Sequence, residues 1–78
     1  MDDKEKKERK LFLSRLGKHI KKVRTAAGYS QDRIYLEAGC SRGTMSKIER
    51  GAVDTQIGTL RMIAETIGVP LRKLVDVD

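Results

Sequence analysis

Residues 30–51, SQDRIYLEAGCSRGTMSKIERG, decide the fold. Ser30 stands where an N-cap belongs, because its hydroxyl can accept from a backbone N–H of the next turn. A helix over 31–38 follows, with Ile34 and Ala38 directed inward. The third residue after the cap is Arg33 rather than Glu, so no reciprocal capping box forms. Gly39 breaks this helix. Ser41 is expected to cap another helix over 42–50, with Met45 and Ile48 inward, and Gly51 to stop it. Ile34, Ala38, Met45 and Ile48 thus bury the inner faces of two short helices joined by a tight glycine turn. The outer face of the second, Arg42, Gly43, Thr44, Ser46 and Lys47, has no large apolar side chain.

On the N-terminal side, Phe12, Leu13, Leu16, Ile20, Val23 and Ala27 recur at helical spacing and predict a helix over 10–27, closed by Gly28. Lys18, Lys21 and Lys22 fall outward. Such a basic amphipathic helix binds a membrane only if its apolar face is free, and the rest of the chain offers partners for that face. Residues 1–10 form a charged N-terminal extension: a frayed tail or the exposed start of a long first helix, solvated or acting as a phosphate-binding arm. Within it Glu5 and Arg9 have the favourable spacing of a helical ion pair. On the C-terminal side, Thr55 is a candidate cap for a helix over 56–67, with Ile57, Leu60, Ile63, Ala64 and Ile67 inward and Gly68 ending it. Pro70 is tolerated in the first turn of a short last helix over 71–76. The reading is an all-α fold of five helices, with one domain over 11–78.

Seventeen Lys and Arg against eleven Asp and Glu leave a net charge of +6 in 78 residues. A basic balance suits a polyanionic partner, nucleic acid or an anionic membrane surface. The one cysteine, Cys40, has no internal disulfide partner and forms no metal-ligand set with the single His19; a reducing, cytoplasmic setting fits. No apolar run approaches a membrane span, and MDDKEKKERK has no apolar segment of a signal peptide. No His/Asp/Ser constellation, carboxylate pair or phosphate-binding glycine loop is present, so no enzyme and no cofactor is expected. Two short helices around a glycine turn make a helix-turn-helix unit, and the polar, slightly basic face of its second helix suits a DNA major groove.

Leu16-Gly17, Arg24, Ser30-Gln31, Gly39, Ile48-Glu49-Arg50-Gly51, Thr59-Leu60 and Ile63-Ala64, in register over about residues 16–75, resemble the lambda-repressor/Cro-type (XRE-like) helix-turn-helix transcriptional regulators. The resemblance implies that Gln31, at the start of the second helix, touches a phosphate, aided by the helix N-terminus. It places Ser41, Arg42, Thr44, Ser46 and Lys47 toward base edges or adjacent phosphates, and Arg50 at a phosphate. It makes Arg24 and Glu49 a buried structural pair. Two positions depart from the family pattern. Tyr35 replaces a small alanine, so its ring either packs and shifts the third helix or carries its hydroxyl to the DNA backbone. Gly43 replaces a base-reading side chain, and inside a helix it costs about 1 kcal/mol relative to Ala.

What the resemblance implies overall is a sequence-specific transcriptional regulator that binds a palindromic operator as a homodimer, with no small-molecule ligand evident. The alternative is a protein-interaction adaptor or antitoxin component built on the same fold. Met62, Leu71, Leu74 and Val75 are core or, in part, a dimer seam. Cys40 reads as a buried thiol and His19 as a solvated side chain.

Overall fold

The first helix begins well before its apolar stripe. In the computed structural model, which describes residues 2–77, Asp2 is the N-cap: its carboxylate accepts the Glu5 N–H at 2.8 Å. Helix α1 then runs Asp3–Ala26 rather than from residue 10. Lys, Glu and Arg are good helix formers, and the acidic Asp3 and Glu5 in the first turn suit the positive end of the helix dipole. The charged stretch is therefore helical. Residues 1 and 78, the outer ends of the two segments expected from sequence, lie outside the described residues.

Four shorter helices follow: α2 Gln31–Ala38, α3 Thr44–Glu49, α4 Ile57–Ile67 and α5 Leu71–Leu74. Ser30 caps α2 as expected, accepting the Arg33 N–H at 3.0 Å, and Gly39 ends it in the left-handed conformation at φ 72°. The start of α3 differs from the expectation. Its N-cap is Gly43, at φ 87° and without a side-chain cap, so Ser41 caps nothing and Arg42 precedes the helix. Gly43 thus stands where an L side chain is strained, and no helix-interior penalty arises. The cap of α4 is Gln56, also without a side-chain bond; Thr55 Oγ1 is buried with no hydrogen-bond partner among the described residues.

The core gathers Leu16, Ile20 and Val23 of α1, Ile34 of α2, Met45 and Ile48 of α3, Leu60, Ile63, Ala64 and Ile67 of α4, and Leu74 of α5. Helix α1 packs on α3 and α5, and α2 on α3 and α4. Three inward assignments fail. Ile57 is 63% exposed, Phe12 is 38% exposed, and Ala27 is exposed. Each stands at or beyond the edge of the packed part of its helix, where periodicity continues but no neighbour covers it. Leu74 is completely buried, and Leu71 and Val75 pack against the core; of the seam residues only Met62 is well exposed. His19 is not simply solvated: its Nε2 donates to the Lys73 carbonyl at 2.7 Å and ties α1 to α5.

Gly17 sets the distance between α1 and α3. A Cβ there would lie 2.5 Å from the backbone oxygens of both Ile48 and Glu49. Only a glycine lets α1 cross this close to the end of α3. Gly51 repeats the device one turn further on, where a Cβ would come within 2.8 Å of the Ser14 nitrogen.

Candidate nucleic-acid interface

The second helix of the unit, α3, has only six residues, too few to hold itself helical. Its inner face supplies the stability. Met45, Ile48 and Glu49 are buried, while Ser46 is half-buried and Lys47 exposed on the outer side. Glu49 is the hub. Arg24 reaches it from α1 through Nε at 2.6 Å and Nη2 at 2.9 Å, with both side chains less than a tenth exposed. The remaining Arg24 donor, Nη1, bonds the Tyr29 carbonyl at 2.7 Å. The hydrogen bond with Glu49 raises the Arg24 pKa further, against the opposing effect of burial, so this charge persists throughout the neutral pH range. Bidentate geometry and the additional carbonyl give each guanidinium nitrogen a partner, as a buried ion pair requires.

Gln31 joins the same network: its Nε2 donates to Glu49 Oε1 at 3.0 Å. The side chain expected at a phosphate is therefore first an internal strut, half-buried at the start of α2, that ties α2 to the last turn of α3. Its amide oxygen is an acceptor only, so a contact with a phosphate oxygen must come from the second Nε2 hydrogen or the backbone N–H.

The other candidate residues fall into two groups. Ser41, Arg42 and Thr44 sit at the entrance of α3. The Ser41 and Thr44 hydroxyls are 2.5 Å apart, and the Ser41 carbonyl accepts the Thr44 N–H at 3.1 Å, closing a tight turn around Gly43. Arg42 is exposed there, with its guanidinium 5.1 Å from the centre of the Tyr35 ring. Tyr35 thus supplies a platform on which a long cation is held. Ser46, Lys47 and Arg50 lie along the outer side of α3 and its end. Arg50 Nε donates back to the Ser46 carbonyl at 3.2 Å, and Lys47 is exposed.

Sequence reasoning missed the platform role of Tyr35 and the hub role of Glu49 toward Gln31. The departure from a small residue at position 35 signalled the first. Nothing local signalled the second, since Gln31 and Glu49 are 18 residues apart. Cys40 is half-buried, its thiol directed at the Ile34 carbonyl at 3.9 Å. Among the described residues no helix is long and apolar enough to cross a membrane.

Comparison with known proteins agrees with this geometry. A helix-turn-helix family model matches residues 20–74. The HTH-type transcriptional regulator SlrR of Bacillus subtilis (strain 168) is 33% identical over 64 residues, a match covering 81% of this chain and 42% of SlrR. The chain therefore spans less than half the length of this relative. The matched region takes in the last seven residues of α1 and the whole of α2 to α5, and the chain belongs to the helix-turn-helix family of the XRE type.

Proposed function

We propose that this protein is a DNA-binding transcription regulator that lays α3 in a major groove and selects a palindromic operator as a homodimer. The observation that carries this reading is the outer side of α3. It is polar and free of large apolar side chains, and the Arg24–Glu49–Gln31 network pins it from behind. A helix presented in this way matches the groove-reading geometry of the helix-turn-helix. Arg42 and Lys47 are the candidates for guanine O6 and N7, the commonest specific contacts. Thr44 and Ser46 offer hydroxyls or a methyl to bases, Ser41 and Arg50 contact phosphates, and Gln31 positions the backbone. The name of the SlrR relative, a transcriptional regulator, supports the regulatory part of the reading, and a cytoplasmic setting is part of the proposal.

A two-fold dimer doubles the contact area that one short helix provides and reads half-sites about 34 Å apart. With Leu74 in the core, the seam candidates reduce to exposed Met62 and the partly buried Leu71 and Val75. Selection of bound sequences from random duplex DNA at fixed salt tests the whole reading. A palindromic enriched motif, lost in an Arg42→Ala, Lys47→Ala variant that still folds, is the expected result. An enriched motif without two-fold symmetry removes the homodimer, and no enrichment at all removes sequence-specific regulation.

A further inference from the structure

The net charge of this molecule is not on its reading head. Residues 31–51 carry four Lys and Arg against three Asp and Glu. Helix α1 carries ten against three, and the rest of the chain seven against eight. The positive excess of the whole chain therefore belongs to α1.

Part of that excess is ordered into a line. Lys4, Lys7, Leu11, Arg15, Lys18 and Lys22 follow one another at steps of four and three, and all are exposed. At 1.5 Å per residue the line is about 27 Å long. It lies on the side of α1 opposite to Leu16, Ile20 and Val23, which are buried in the core. Asp3 and Glu8 flank its first turns, and from Lys10 to the end of α1 there is no carboxylate. Among the described residues none of its five cations is in an ion pair: Arg9 and Arg24, which are, lie on other faces of α1. The stripe points away from the domain, whereas α3 presents Lys47 on its own outer side.

We propose that the outer stripe of α1, Lys4, Lys7, Arg15, Lys18 and Lys22, is a second, sequence-independent DNA site that grips the phosphate backbone of another duplex while α3 reads the first. The shape of the stripe favours this occupant. A single row of point charges matches a rod-like polyanion, whose phosphates lie in lines and release counterions when neutralised. An anionic membrane would require α1 to sink an apolar face into the headgroups, and that face is consumed by the core. Five neutralised phosphates give a slope of about −4.5 in log affinity against log salt, on the order of 500-fold between 50 and 200 mM.

The inference adds a second site to the proposed regulator, and its test separates the two readings. The full chain is titrated with a labelled 30-base-pair duplex of random sequence across that salt range. It is also loaded on a bead-bound duplex and offered the labelled one. Replacing all five cations by Gln keeps helix propensity; a second variant with Lys at 4, 7, 18 and 22 changed to Arg keeps the charge. The expected result is capture of the labelled duplex by the wild type, by the Lys-to-Arg variant and by the Arg42→Ala, Lys47→Ala variant when that variant is tethered directly to the bead. The Gln variant should lose capture and most of the salt slope while still enriching the same motif from random DNA. Equal capture and equal slope in the Gln variant overturn the proposal. So does wild-type binding to phosphatidylserine vesicles without binding to the labelled duplex. If no motif is enriched by any form, the regulator reading fails, and the stripe is still judged by the salt slope alone.

Discussion

Helices α1 and α3 use positive charge in opposite ways. Helix α1 is 24 residues long, carries ten Lys and Arg, and exposes most of them. Helix α3 is six residues long, and the cations around it are few: Arg42 is held on the Tyr35 ring and Arg50 on the Ser46 carbonyl, while Lys47 is exposed. One element concentrates charge without constraining it; the other constrains a few groups without much charge. Long-range attraction to a polyanion needs only the first arrangement, whereas discrimination between bases needs the second. The fold keeps them apart while coupling them mechanically, through Gly17 and through Arg24–Glu49.

The coupling is where the comparison breaks most easily. Glu49→Ala leaves Arg24 buried without its partner, and the expected loss is about 3–5 kcal/mol of folding stability, read as the denaturant midpoint. A loss below about 1 kcal/mol would show that α3 does not depend on this strut. Gly17→Ala comes next. Its new Cβ meets two backbone oxygens at 2.5 Å, which cannot swing aside as a side chain would, so α1 and α3 must part. The expected cost is about 1–3 kcal/mol, with DNA binding weakened more than core burial alone explains. Thermal melts beside binding titrations measure both, and unchanged melting of Gly17→Ala would show that the α1–α3 crossing accommodates a Cβ.

Smaller changes sharpen the contrast without breaking it. Gly43→Ala places a side chain at φ 87° and should cost about 1–2 kcal/mol. It acts on the entrance of α3 alone, so weakened sequence preference should accompany unchanged binding to random DNA at low salt. Tyr35→Leu keeps an apolar side chain but removes the platform under Arg42, worth about 0.5–1 kcal/mol at an exposed site. The expected effect is a two- to fivefold loss of affinity for the selected motif. The loss should vanish in an Arg42→Ala background, as a double-mutant cycle on equilibrium binding shows.

Much of this architecture was legible before any coordinates. Ile34, Met45, Ile48, Leu60 and Ile63 fell inward because buried helical faces impose their period on the sequence. Ser30 and Gly39 marked the ends of α2 because caps and left-handed turns demand those residue types. The resemblance to the XRE-like family placed the Arg24–Glu49 pair. Errors collected at element edges. Ser41 looked like a cap as Ser30 did, but a serine hydroxyl bonds a helix N–H only if the backbone beside it is already extended into the helix. Here the turn closes around Gly43 two residues later. Ile57 kept the period of α4 and found no neighbour.

What the sequence alone determined, then, is the set of local preferences: five helices, their inner faces, the glycine turn between α2 and α3, and a polar face on the second helix of that unit. Tertiary structure decided which of those preferences meet. It brought Gln31 to Glu49 and His19 to the Lys73 carbonyl, made Gly17 a crossing point rather than a weak spot in a helix, and buried Leu74 out of reach of any dimer seam. It also left the α1 cation stripe exposed, opposite the α1 residues that enter the core. Those outcomes depend on distances between residues far apart in the chain, and hydrophobic period and capping chemistry carry information only about neighbours a turn or two away.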